Sequence, residues 1–241
     1  MCTNILNNIN FVTRKVELAF KNCKYITKYP RVVAVSKFKS VENIIECYSN
    51  GLRCFGENYV QELEKKSQDE KILDCCPDIK WHYIGKLQNK KINKLINIPN
   101  LSVIETLSSI DTAKLLNEKL GNSKRKEILQ VMLQVNTSDE DAKNGVSPGL
   151  VVELASDIIK NYENLKFIGL MTIGSVDNTL KGLENPDFLS LLNCRELLCK
   201  SLNMPTEEVE LSMGMSSDFE DAVILGSTNV RIGTSIFGER N

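Results

Sequence analysis

The stretch VVAVSKFKSVENIIECYSNG, residues 32–51, contains the repeating unit on which the fold is built. Its first five residues, 32–36, have the uninterrupted small and β-branched apolar character of a buried strand. The apolar residues that follow recur at the spacing of one helix face: Val41, Ile44, Ile45 and Tyr48. Ser40 stands at the N-cap position of this helix, and Gly51 follows as its stop. The stretch is therefore predicted to be a strand followed by a helix.

The same alternation continues along the chain. Seven further runs read as strands: RCFG (53–56), WHYIG (81–85), LSVIE (101–105), ILQVMLQV (128–135), FIGLMTI (167–173), VELSM (209–213) and NVRIG (229–233). Helix starts are indicated by Pro148, by Pro186, and by a capping box of Ser217 and Glu220. Eight strand–helix units predict a parallel sheet with helical crossovers. We expect one domain over residues 1–241, a closed (β/α)8 barrel, with an open doubly wound sheet as the alternative.

Composition places the chain among soluble globular proteins, with 42% hydrophobic and 25% charged residues and a net charge of -1. This charge balance gives no electrostatic case for nucleic acid or an acidic membrane surface. No run approaches the roughly 18 apolar residues of a membrane span. The start, MCTNILNNINFVTRK, lacks the basic and apolar segments of a signal peptide. We therefore expect a cytoplasmic protein with neither nucleic acid nor membrane as a partner.

The eight cysteines do not follow the spacing of a metal site. They contain no C-x-x-C pair, and His82 is the single histidine of the sequence. We interpret them as small buried hydrophobic residues, with a redox-active Cys75–Cys76 pair as the alternative. No metal site is predicted.

Functional residues of such a barrel lie where the strands end. Lys37 follows the first strand, and a partly desolvated lysine amine can form a Schiff base with a carbonyl compound. Lys39 fits equally well by spacing, and a plain surface lysine is the alternative. The segments LSMGMSSDFEDA (211–222) and NVRIGTSIFG (229–238) place small residues and a helix start after the last two strands, where barrels frequently bind phosphate. Together these features predict a site for a carbonyl compound that carries a phosphate.

Seven blocks then carry a resemblance to a known family: AVSKFKS (34–40), FGENYVQE (55–62), WHYIGKLQNKK (81–91), VNTSDEDAKNG (135–145), GLMTIGS (169–175), LSMGMSSDFEDAV (211–223) and GSTNVRIGTSIFGER (226–240). With them the chain resembles the pyridoxal phosphate homeostasis proteins, relatives of the barrel domain of alanine racemase. The resemblance begins near residue 30 and implies an alanine-racemase-like barrel, fold type III of the pyridoxal phosphate proteins. Residues 1–30 are then expected to form a helical cover.

The resemblance also implies roles for individual residues. Lys37 matches the lysine that holds pyridoxal 5′-phosphate as a Schiff base, and it is the one catalytic residue expected. The expected cofactor-binding residues are Lys37, Asn58, His82, Ile173, Ser212, Met213, Gly214, Ser216, Arg231, Gly233 and Thr234. Among them the serines, glycines and threonine look like the phosphate cradle, and Arg231 matches the arginine that faces the pyridine nitrogen. An always-charged guanidinium there discourages protonation of the ring. For His82, a purely structural hydrogen bond is the alternative.

The chain departs from the family pattern in the segment 105–112 and at two single positions. Ser40 stands where a proline is common, and Lys86 stands where histidine or proline is usual. Lys86 adds a positive charge near the barrel mouth and is a further candidate for binding the aldehyde.

Two functions share these features. A carrier would hold the cofactor, buffer it and deliver it to apo-enzymes, whereas a racemase needs acid–base groups on both faces of its substrate. In the related racemases a second domain of the partner subunit supplies a tyrosine, and this chain ends at FGERN, soon after the eighth strand. We expect a monomeric carrier. The alternatives are a racemase that uses Tyr59 or Tyr83, and a Schiff-base barrel that acts on a sugar phosphate.

Overall fold

The computed structural model describes residues 4–25, 27–138 and 144–239. The other residues include parts of the expected amino-terminal cover and of the blocks at 135–145 and 226–240. Within the described ranges, parallel strands form a closed barrel: β1 (Arg31–Val35), β2 (Cys54–Glu57), β3 (Lys80–Tyr83), β4 (Leu101–Leu107), β5 (Leu129–Gln134), β6 (Leu165–Met171), β7 (Glu210–Ser212) and β8 (Asn229–Ile232). Each strand pairs with its neighbours in sequence, and β8 closes the ring on β1. The (β/α)8 prediction is confirmed.

Helices surround this barrel. They are α1 (Ile5–Lys21), α2 (Val41–Ser49), α3 (Val60–Ser67), α4 (Glu70–Cys75), α5 (Ile92–Ile96), α6 (Ile110–Gly121), α7 (Val151–Asn161), α8 (Pro186–Leu202), α9 (Phe219–Ile224) and α10 (Thr234–Phe237). Helix α1 packs against α2, α9 and α10. It therefore belongs to the outer layer beside the first and last strands.

Of the predicted helix starts, the one at Ser40 agrees with the structure and the one at Ser217 does not. Ser40 caps α2, because its hydroxyl accepts a hydrogen bond from the backbone N–H of Asn43. The capping box at Ser217 is wrong: α9 begins at Phe219, and Asp218 is its N-cap residue. The Asp218 carboxylate accepts the N–H of Met215 at 2.6 Å and closes the turn before the helix. A carboxylate is a stronger hydrogen-bond acceptor than a hydroxyl. The N-cap residue is therefore Asp218, one residue after the predicted Ser217.

The inside of the barrel is filled in layers, as in other barrels of this size. Val103, Met132, Ile168 and Met171 form an apolar layer. Glu105 lies two residues beyond Val103 on β4, so its side chain points to the same side one layer nearer the carboxyl ends of the strands. The next layer is thus charged, and it forms the floor of the site.

The sequence predicts neither a membrane span nor a metal site. Among the described residues, no helix is long and apolar enough to cross a membrane. Within the same ranges, no group of three histidine, cysteine or acidic side chains is arranged to hold a metal ion. The described cysteines are free thiols, and most of them are buried, whereas Cys75 is exposed.

Candidate functional site

A cavity of about 420 Å³ opens at the carboxyl ends of the strands. This volume lies within the range of small-molecule sites. The cavity is lined by seven of the residues predicted from the sequence: Lys37, Asn58, Ile173, Ser216, Arg231, Gly233 and Thr234. Met171, Met215 and Ile84 add apolar wall. Residues from both ends of the chain thus meet in one pocket.

The other predicted residues lie behind this wall. Ser212, Met213, Gly214 and His82 are not among the lining side chains. Gly214 has φ of +94°, and a Cβ at this position would lie 2.6 Å from the Cβ of Ala222. The turn from β7 to α9 therefore requires glycine. Met213 belongs to the hydrophobic core.

Lys37 lies immediately after β1 and lines the cavity. Lys39 does not line it, and its Nζ donates a hydrogen bond to the carbonyl oxygen of Phe237 at 3.3 Å. Lys86 is exposed and is also absent from the lining. Of the three lysines considered from the sequence, the geometry therefore favours Lys37.

The wall formed by the last two strand ends gathers backbone N–H donors around one oxygen atom. The backbone N–H groups of Gly233 and Ser235 both donate to the hydroxyl oxygen of Ser216, at 3.2 and 3.3 Å. Donors from the start of α10 thus converge on an oxygen at the edge of the cavity, an arrangement that suits a phosphate oxygen. Thr234, between the two donors, also lines the cavity.

A buried network of hydrogen bonds supports Arg231 from below. Arg231 Nη1 donates to Ser212 Oγ at 2.6 Å, and Arg231 Nη2 donates to the Thr172 carbonyl at 2.7 Å. Ser212 Oγ in turn donates to Glu105 Oε2, and Glu105 Oε1 bonds His82 Nδ1, both at 2.6 Å. We call His82, Glu105, Ser212 and Arg231 the Arg231 network; each is at most 4% exposed. The network fixes the guanidinium in the cavity floor.

Glu105 is the residue of this network that the sequence did not assign to the site. It does end the predicted strand LSVIE (101–105), where functional residues of a barrel are expected, and its carboxylate interrupts the apolar run of β4. A buried carboxylate requires partners, but its partners come from β3, β7 and β8. Local sequence therefore cannot identify them.

The network is strongly coupled electrostatically. Burial alone would lower the pKa of His82, but its hydrogen bonds with Cys54 and Glu105 outweigh burial and raise that pKa to about 9. Burial would raise the pKa of Glu105, but His82 and Arg231 hold it below its usual value. Burial lowers the pKa of Arg231 while Glu105 opposes the shift, and arginine stays charged in proteins. The cationic side chains of His82 and Arg231 thus lie on either side of the Glu105 carboxylate under the cavity.

The raised pKa of His82 predicts a pH dependence of stability. An unfolded histidine titrates near about 6.5, so the folded protein binds this proton more tightly and protonation stabilises the fold. The contribution is fully present below about pH 6.5 and is lost as the pH rises through about 9. Urea unfolding should therefore show a loss of stability across this interval in the wild type and a smaller loss in His82→Asn. Equal losses in the two proteins would contradict the shift.

The fold and the cavity define a class: a (β/α)8 barrel with a lysine after strand one and a turn of backbone N–H donors after strands seven and eight. Residues 20–241 match the family model described as the alanine racemase N-terminal domain. The chain belongs to that family and, within it, to the pyridoxal phosphate homeostasis proteins.

Several relatives support this assignment. The human pyridoxal phosphate homeostasis protein is 52% identical over 212 residues, which are 88% of this chain and 77% of that one. The protein of the same name from Haemophilus influenzae is 36% identical over 239 residues, covering 99% of this chain and 97% of its own. The family expected from the seven blocks is thus confirmed.

Solved structures agree. PipY of Synechococcus elongatus, determined with pyridoxal phosphate bound, has a TM-score of 0.74 and 26% identity, and the match covers 98% of this chain and 100% of PipY. Alanine racemase of Corynebacterium glutamicum, at 13% identity, has a TM-score of 0.66 over 98% of this chain and 61% of its own. The latter likeness shows the fold alone.

Proposed function

We propose that this protein binds pyridoxal 5′-phosphate and serves in vitamin B6 homeostasis, as a cytoplasmic monomer that holds the cofactor on Lys37 and buffers it or delivers it to apo-enzymes. One observation carries the proposal: Lys37, the Ser216, Gly233 and Thr234 turn, and Arg231 line the same cavity of about 420 Å³. Relatives at up to 52% identity bear the name of this function.

The residues of the cavity fit the chemical groups of the cofactor. The N–H groups of Gly233 and Ser235, which here donate to the Ser216 hydroxyl, would turn to the phosphate when it binds, and Ser216 would hold it with them. Ile173 and Met215 offer apolar wall to the ring. Arg231 would face the ring nitrogen, with its other donors already used by Ser212 and Thr172.

The cofactor, Lys37 and Arg231 would each have a separate chemical role. The cofactor supplies an aldehyde and an electron-withdrawing ring. Lys37 would hold the cofactor by supplying the amine that reacts with this aldehyde, with release of one molecule of water. Arg231 stays charged and discourages protonation of the ring nitrogen. An unprotonated ring withdraws electrons less strongly and would stabilise a carbanion at a bound substrate less.

The positions of the tyrosines support a carrier over a racemase. Tyr83 is buried, its hydroxyl donates to the Lys86 carbonyl, and burial raises its pKa to about 12. Tyr59 packs its ring against Phe38 with centroids 5.3 Å apart. Neither tyrosine lines the cavity. The second acid–base group that racemisation needs is therefore not provided by either candidate named from the sequence.

The test uses the wild-type protein. On addition of pyridoxal 5′-phosphate we expect a visible absorption band, one borohydride-stable label per chain, and a labelled peptide that contains Lys37. Pyridoxal without its phosphate is the matched control and should bind more weakly. The loaded protein is then incubated with L-alanine in D₂O, where a carrier exchanges the α-hydrogen no faster than the free cofactor. Absence of a band would refute cofactor binding, and rapid exchange would support the racemase instead.

A further inference from the structure

The backbone on both sides of Lys37 is held by side chains of α3. Lys66 Nζ donates to the carbonyl oxygen of Ser36 at 2.7 Å, immediately before Lys37. Immediately after it, the N–H of Phe38 donates to Glu62 Oε1 at 2.6 Å. One turn of one helix therefore holds the two peptide groups that flank the lysine.

These contacts belong to a larger cluster. Lys66 Nζ also bonds Glu57 Oε1 and Glu62 Oε1, both at 2.7 Å, and Ser36 Oγ donates to Glu57 Oε1 at 2.7 Å. We call Ser36, Glu57, Glu62 and Lys66 the Lys66 cluster. An ammonium group has three donors, and here each has a protein acceptor. Lys66 is 6% exposed and Ser36 and Glu57 are fully buried, so water competes little for these bonds.

The loop adopts a conformation that needs such support. Phe38 has φ of +62°, in the left-handed region that bulky residues rarely enter. Backbone of this kind persists when surrounding contacts over-determine it, and it is concentrated at functional sites. The bond from Phe38 N–H to Glu62 is one such contact.

The cluster does not take part in forming the cavity. Ser36, Glu57, Glu62 and Lys66 are absent from its lining, whereas Lys37 is present. A ligand in the cavity would thus meet the lysine but not the side chains that hold its backbone. An effect of the cluster on ligand chemistry would have to act through Lys37.

We propose that Glu57, Glu62 and Lys66 are positioning residues that hold the Lys37 backbone so that its amine faces the bound aldehyde. The inference rests on the proposed function, because it assumes that Lys37 is the attachment site. The proposal gives a role to Glu57, Glu62 and Lys66, three charged residues that do not line the cavity.

The test distinguishes an effect on the position of the Lys37 amine from an effect on the affinity of the cavity for its ligand. Lys66→Met removes all three donors, and Lys66→Arg keeps donors in reach of the same acceptors. Lys65→Met, at an exposed position of the same helix, is the matched control. For each protein two quantities are measured: the rate constant of covalent attachment of pyridoxal 5′-phosphate, and the dissociation constant of pyridoxine 5′-phosphate, an alcohol that cannot react with the amine.

We expect Lys66→Met to slow attachment by about tenfold or more, since small displacements of a reacting group have effects of this size. Its affinity for pyridoxine 5′-phosphate should stay within about twofold, because the phosphate turn is untouched. Lys66→Arg should recover much of the rate, and Lys65→Met should match the wild type. Glu62→Ala, at a partly exposed position, should show the same separation and serves if Lys66→Met does not fold.

Three results would overturn the inference. Attachment at the wild-type rate in both Lys66→Met and Glu62→Ala would show that the cluster does not position the lysine. An equal loss of analogue affinity would show that it merely maintains the pocket. If the wild type itself formed no bond at Lys37, the proposed function would fail as well, and the missing wild-type signal distinguishes this case from the other two.

Discussion

Replacing Lys37 with alanine should reduce the borohydride-stable label from about one per chain to background, because the nucleophile that forms the covalent bond is removed. The N–H donors proposed to hold the phosphate belong to Gly233 and Ser235, near the other end of the sequence. The variant should therefore still bind pyridoxine 5′-phosphate. Mass spectrometry of the reduced protein and titration with the analogue measure the two effects separately.

Two other lysines provide the controls. Lys39→Ala removes an amine that is bonded to the Phe237 carbonyl, and Lys86→Ala removes an exposed amine outside the cavity. Both variants should keep the label on Lys37. Label that persists in Lys37→Ala at either of these positions would show that the attachment site is wrong.

The second large effect concerns stability rather than attachment. Glu105→Ala should lower the free energy of unfolding by about 3–5 kcal/mol, the cost typical of removing one partner from a buried ion pair. The reason is that Arg231 would remain buried as a cation without the nearby carboxylate, and His82 would lose its hydrogen-bond partner at Nδ1. Urea denaturation followed by circular dichroism measures the change.

An exposed ion pair provides the comparison. Glu64 bonds Lys94 at 3.1 Å, and their side chains are 31% and 58% exposed, far more than that of Glu105. Glu64→Ala should change the free energy of unfolding by about 1 kcal/mol or less. If Glu105→Ala proved as mild as Glu64→Ala, the charged layer under the cavity would not hold the barrel together.

The barrel could be predicted because each strand and its following helix are local patterns. The run VVAVS and the helix spacing after it are visible within twenty residues, and β1 and α2 are found there. The same holds for the order of the strands, since a parallel barrel pairs neighbours in sequence. Lys37 and Arg231 could be placed on strand ends for this reason.

The features that could not be predicted depend on contacts between residues that are far apart in the sequence. His82 could be read as a pocket wall or as a structural hydrogen bond, and its bond to Glu105 on the next strand was needed to place it below the cavity. Lys66 looks like any lysine of an amphipathic helix until the loop after β1 is seen to lie against it. The Ser217 capping box failed for a local reason, because Asp218 competes for the same turn.

The closure of the ring by its first and last strands has a consequence for biosynthesis. Lys37 follows β1, whereas Arg231 and Gly233 belong to the segment that begins with β8, and the two strands pair directly. In a nascent chain Lys37 is synthesised long before Gly233 and the rest of this segment. If the cofactor binds as proposed, its full set of contacts would form only after translation has passed the eighth strand, so that occupancy would distinguish a finished molecule from a truncated one.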